Sequence, residues 1–225
     1  MAEHYVLCVL SQINVGRAES KKYAFKQNGK TRATFDGYQT NEAPVECLIK
    51  LALDGGNPIT GIICLVSEEC KRPITTGDGI SCTSESHFKD AIASYYDGCK
   101  ELAGKNNPAH QKGFFIDVPY KADNPAQNLR AIVEVLDKED VLIDFDTTGG
   151  PRDAAFLLTN VVQFIEAKHR VRDRAQSTAS HAYGLGKTVY ANLSTQDIYL
   201  QGDTCEISKL IYAINAFTEY GKANP

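Results

Sequence analysis

The stretch from Val141 to Leu158, VLIDFDTTGGPRDAAFLL, constrains the fold more than any other part of the chain. Val141 to Ile143, with Phe145, is an apolar run suited to a strand covered on both faces. Gly149 and Gly150 permit backbone angles closed to other residues and let a ligand approach the main chain. Pro151 fits a first helical position, where its missing N–H costs nothing. The run therefore reads as buried strand, tight turn and helix start. The free N–H groups of that helix start, with its dipole, favour negative charge in the turn. Thr147 and Thr148 add hydroxyls, and Arg152 adds a cation suited to bidentate phosphate contact. A lone Gly-Gly-Pro would only turn and cap. Two threonines, two glycines and Arg152 directly behind a strand point to an anion site, most naturally for a phosphate-bearing ligand. Asp146 would repel phosphate, so its expected task is to hold the turn by accepting backbone N–H groups.

Strand and helix patterns alternate along the rest of the chain. Tyr5 to Leu10 is an apolar strand. Tyr23 to Phe25 and Thr31 to Phe35, around Asn28-Gly29, read as a β-hairpin. Thr40 or Asn41 caps a helix from Glu42 to Leu53, with Val45, Leu48, Ile49 and Ala52 on one face. Gly61 to Val66 is the next strand, and Lys71 to Ser84 reads as a loop. A helix follows from about Ser86 to Ala103, then a strand from Gly113 to Val118. Asn124-Pro125 opens a helix to Leu136. The strand of the opening motif spans Asp140 to Phe145, and its helix runs from Pro151 to about Lys168. Arg170 to Gly186, charged and then rich in Ser, Ala and Gly, is expected to be a mobile excursion. Thr188 to Leu193 and Asp197 to Leu200 form a short two-strand element, and Glu206 to Tyr220 an amphipathic helix.

This alternation predicts one α/β domain over residues 1–225: a Rossmann-like, doubly wound, mainly parallel sheet with helices on both faces and a short C-terminal two-strand element. Ligands of such sheets bind beyond the carboxyl ends of the strands, where strand order reverses. Two such ends are polar here: Ser11-Gln12-Ile13-Asn14 after the first strand, and the Thr-Thr-Gly-Gly turn. If those strands are neighbours, the two loops share one pocket.

Composition narrows the chemistry. A net charge of −4 argues against binding long nucleic acid through bulk electrostatics, while leaving room for a small anion in a locally positive pocket. No apolar run approaches the roughly 20 residues that span a bilayer, and no basic leader precedes Tyr5, so a cytoplasmic protein is expected. The seven cysteines form no C-x-x-C pair, and the five histidines show no ligand spacing, so no metal is expected. Dinucleotide, Walker-type and nucleophile-elbow fingerprints do not occur, and no cofactor is expected.

Asp146-Thr-Thr-Gly-Gly-Pro-Arg152 after an apolar strand resembles the D-x-T-x-G-x-R motif of the CRISPR-associated Rossmann-fold (CARF) domain. The order of elements is similar over most of the chain, from Leu10-Ser11 through the hairpin to the helix opening Thr40-Asn-Glu-Ala, and late in the chain from Val189-Tyr-Ala-Asn-Leu193 to Ala216–Gly221. The resemblance implies a homodimer that binds a cyclic oligoadenylate, the second messenger of type III CRISPR antiviral defence, across its two-fold axis and switches an attached or partner effector. Cyclic tetra-adenylate is favoured over hexa-adenylate. On this chain Ser11, Gln12 and Asn14 would contact ribose or adenine edges, Thr147, Thr148, Gly149 and Gly150 would line the ring, and Arg152 would contact phosphate or brace the loop. Some relatives cleave the ring without metal, by attack of a ribose 2′-OH on the adjacent phosphate. Ser11, Asn14 and Thr148 are the candidates for positioning that step. The first loop departs from the family in lacking a Gly-Thr pair. No HEPN ribonuclease signature stands in the expected C-terminal place, so the expectation is either a fused effector domain missing from this chain, which is slightly favoured, or a stand-alone sensor. A rival reading, outside the family, is a doubly wound protein for an ordinary phosphorylated metabolite.

Overall fold

A computed structural model describes residues 3–13, 20–75, 79, 81–102, 106–136, 141–149, 157–158, 160–161, 163–164 and 184–201. The central sheet joins β1 (Glu3–Val9), β2 (Lys21–Gln27), β3 (Lys30–Gly37), β4 (Gly61–Val66), β7 (Phe115–Pro119), β8 (Val141–Asp146), β9 (Gly184–Asn192) and β10 (Asp197–Leu200). Its eight strands lie in the order β3-β2-β10-β9-β8-β1-β4-β7. Pairings are parallel except β2–β3 and β9–β10. The expected doubly wound, mainly parallel sheet is therefore present.

Helices cover both faces. α1 (Glu42–Asp54) and α2 (Ser84–Gly98) pack on the side of Val6, Cys8, Ile62 and Cys64. α3 (Pro125–Leu136) and the helical residues Leu157, Leu158 and Val161 pack on the side of Tyr5, Leu7, Ile63 and Ile143. With both faces covered, β1, β4 and β8 bury almost every residue, which explains why they read as continuous apolar runs. Connections from β1 through α1 and α2 run outward to β4 and β7 on one face. The chain then returns beneath α3, on the other face, to β8 and β9. Strand order thus reverses between β1 and β8.

Several boundaries differ from the sequence reading, each for a local reason. The hairpin turn is Asn28-Gly29, both with positive φ (52° and 73°), but its strands extend further into residues that are largely exposed and so carry no apolar signal. Part of the 71–84 loop is paired: β5 (Pro73–Thr75) and β6 (Ser81–Thr83) form a separate antiparallel sheet too short for an alternation to be seen. α2 begins earlier than Ser86 because Thr83 caps it. Thr83 Oγ1 accepts the Ser86 N–H at 3.0 Å and Ser86 Oγ accepts the Thr83 N–H at 3.0 Å, a capping box built with Ser in place of Glu. It ends at Gly98, where Cys99 turns extended. The short C-terminal two-strand element is β9–β10, but β10 also pairs with β2, so the element belongs to the main sheet. Gly184 to Gly186, assigned to the mobile excursion, are strand residues of β9. The remainder of that excursion and the helix at 206–220 lie outside the described residues.

The early start of β9 is explained by a buried polar group. Asp144 Oδ1 accepts the Lys187 N–H at 2.5 Å, opposite the register shift between Ile143 and Phe145. Its carboxylate occupies the space a Cβ on Gly186 would need. Oδ2 lies 3.1 Å from His4 Nε2, and His4 Nδ1 donates to the Asn57 carbonyl at 2.8 Å. Both side chains are fully buried, so one ionisable pair ties β1, β8, β9 and the end of α1 together.

Candidate functional site

The carboxyl ends of β1 and β8 lie level, with Cys8 opposite Asp146, at the point where strand order reverses. The loops after the two strands therefore meet at the place where doubly wound sheets hold ligands. Ser11, Gln12 and Ile13 follow β1; Thr147, Thr148 and Gly149 follow β8. Asn14, Gly150 and Arg152 lie outside the described residues.

What joins the two loops is a residue assigned only a capping role by the sequence reading. Asn41 stands at the N-cap of α1, yet its side chain makes no cap hydrogen bond. Its Oδ1 accepts the Ser11 N–H at 2.8 Å, and its Nδ2 donates to Asp146 Oδ2 at 2.6 Å. The carboxamide is fully buried. Asp146 Oδ1 in turn accepts the Thr148 N–H at 2.8 Å, so the aspartate holds the turn as expected. Burial pushes the Asp146 carboxyl up to about 6, against the opposing pull of the Thr148 and Asn41 hydrogen bonds. Both of its oxygens accept hydrogen bonds, one from Asn41 and one from Thr148.

The residues just before Asn41 complete the clasp. Gln39 donates from Nε2 to the Ser11 carbonyl, and the Thr40 and Ser11 hydroxyls lie 2.5 Å apart. Beyond them, Ile13 N–H donates to Ser84 Oγ at 3.0 Å, fixing the loop to the start of α2. The only advance signal was a polar Gln-Thr-Asn run denser than one cap requires.

The two threonines tie the turn to β9. Thr147 turns toward β9: its N–H donates to the Val189 carbonyl at 3.0 Å, and its hydroxyl lies 3.0 Å from that oxygen and 3.2 Å from Gln201 Oε1. Thr148 turns the same way: its Oγ1 accepts the Ala191 N–H at 2.8 Å. Gly149 is required by packing, because a Cβ there would overlap the Asn41 carboxamide. Gly149→Ala is accordingly expected to cost about 1–3 kcal/mol through overpacking, read as a fall in the urea midpoint at unchanged m-value.

A cleft of about 510 Å³ extends from this point over the ends of β4 and β7, lined among others by Ser11, Gln12, Ser67, Tyr120 and Lys121. Its far wall carries Glu68, Glu69 and Asp123 against the single Lys121. The Glu69 carboxyl is held below the usual range by its own backbone N–H and the Ser67 hydroxyl. That wall is therefore acidic, while the β1 end of the cleft contributes the uncharged Ser11 and Gln12. Among the described residues no group of three His, Cys, Asp or Glu side chains is placed to hold a metal, and no helix is long and apolar enough to cross a membrane.

The fold and site define a doubly wound α/β protein with a polar switch-point crevice. No family model matches the chain, and no curated protein matches it.

Proposed function

We propose that the chain is a sensor domain for a cyclic oligoadenylate, cyclic tetra-adenylate ahead of hexa-adenylate, that acts as a homodimer in type III CRISPR defence and regulates an attached or partner effector. The observation that carries this reading is the Asn41 clasp: the Asp146–Gly149 turn and the Ser11 loop are locked side by side at the reversal of strand order. The Thr147 and Thr148 N–H groups are held by Val189 and Asp146, so on this reading phosphate is met by hydroxyls and by the glycine end of the turn, which needs no strongly basic chain and agrees with a net charge of −4. Hydroxyls at Ser11 and Thr148 and the exposed amide of Gln12 supply partners for ribose and adenine edges. A two-fold dimer would present each loop twice to a two-fold ring.

Calorimetric titration with cyclic tetra-adenylate and cyclic hexa-adenylate, with linear oligoadenylate as control, tests the proposal. Tight binding of one ring by two chains is the expected result. Loss of the bound ring with appearance of linear product would move the reading to a metal-independent ring nuclease. Heat from neither ring would overturn the proposal and leave a phosphorylated metabolite as the better ligand class.

A further inference from the structure

Tyr38 immediately precedes Gln39, Thr40 and Asn41, the three residues that grip the Ser11 segment. Unlike them it faces solvent. At 54% exposure it is the most exposed large hydrophobic side chain among the described residues. Single exposed apolar residues are ordinary on protein surfaces, but this one is held firmly. Its N–H donates to Glu42 Oε2 at 2.7 Å. Its ring meets the His87 imidazole edge to face, with centroids 5.6 Å apart and planes at 73°. His87 is itself oriented by Glu42, whose Oε1 lies 3.1 Å from Nδ1. The helix that carries His87 also anchors the Ser11 loop, through Ser84 and Ile13. The aromatic ring is therefore held beside the segment that grips the Ser11 loop, with much of its surface left open.

A fixed, solvent-facing tyrosine loses little conformational entropy when a flat partner settles on it. Every nucleobase has a π-face to offer, and purines offer the larger one. A phosphate-friendly turn and an immobilised ring on the same loop assembly are complementary to the two ends of one nucleotide. We infer that Tyr38 is the stacking platform for a purine base of the ligand held between β1 and β8. The inference rests on the reading of that crevice as a nucleotide site.

The chain contains no tryptophan, so Tyr38→Trp places a single tryptophan at the platform, excited selectively at the red edge where tyrosine does not absorb. Binding of cyclic tetra- or hexa-adenylate is expected to quench that emission and to leave affinity within about threefold of the parent chain, since indole stacks at least as well as phenol. Tyr38→Ala is expected to weaken binding by about tenfold to a hundredfold, with thermal stability unchanged because the ring is exposed. Calorimetric binding to the parent chain, combined with unaltered emission in the tryptophan variant or unaltered affinity in the alanine variant, overturns the stacking role alone. Absence of binding to the parent chain overturns the nucleotide reading, and the platform with it.

Discussion

Asn41→Ala is expected to lower the free energy of unfolding by about 3 kcal/mol and to remove ligand binding. The carboxamide is fully buried and serves the fully buried Asp146 carboxylate and the N–H of the half-buried Ser11. Its loss strands the Ser11 N–H and takes a charge-assisted hydrogen bond from Asp146. It also frees the two loops from one another, so the donors of a shared crevice lose their relative placement. Urea unfolding measures the first effect, and ring titration the second. A loss under about 1 kcal/mol would show that each loop holds itself and that the clasp is incidental. Asn41→Asp supplies a second reading of the same contact. It replaces the donor at 2.6 Å from Asp146 with a carboxylate, and the two can coexist only by sharing a proton. That raised affinity for a proton makes the variant most stable in acid, and stability should fall as pH rises through neutrality.

Glu46→Gln is expected to stabilise the protein, by up to about 3 kcal/mol at pH 7. Glu46 lies on α1 at 7% exposure. Burial, and then the Glu42 and Asp36 carboxylates, push its carboxyl from the ordinary 4.5 up to about 9. Between those values the folded chain holds a proton that the unfolded chain has released, so stability declines as pH rises through the window. Below it, both states are protonated and the penalty vanishes. Above it, the full cost of a buried charge is present. A neutral amide in place of the Glu46 carboxyl carries no such charge, so the variant's stability profile should be flatter and its advantage should grow from pH 5 to pH 9. Denaturant titrations at pH 5, 7 and 9 measure this. Parallel profiles for the two proteins would mean that Glu46 ionises freely in the fold.

The strands that could be read in advance are those buried on both faces, because their apolar runs need no partner to be recognised. β1, β4 and β8 are of this kind, and the Gly-rich turn behind β8 was equally plain. The Asn28-Gly29 turn was legible because only a few residues accept its backbone angles. The clasp was not. Asn41 reads as an ordinary helix cap, and its bonds to Ser11 and Asp146 depend on chain segments brought together only by the sheet. The same holds for β10, whose pairing with β2 joins Asp197 to Ala24 and leaves no trace in local pattern. Glu46 was invisible for the opposite reason: a charged residue within an amphipathic helix reads as solvated until burial is known. Asn14, Gly150 and Arg152 belong to the sequence-based site, but the contacts that define the crevice are made by their described neighbours.

The place of the β2–β3 hairpin has a consequence for the order of assembly. Both its strands are synthesised soon after β1, yet among the described strands its one neighbour in the sheet is β10, which comes last. The strands β1, β4, β7 and β8 can associate without either of them. The hairpin must wait for the far end of the chain, across a long loop whose closure is entropically costly. The hairpin leads straight into Gln39, Thr40 and Asn41, so its pairing with β10 ties the segment that grips Ser11 to a strand far along the chain. A chain arrested before β10 would keep the β1–β8 register but leave β2 without its second partner in the sheet.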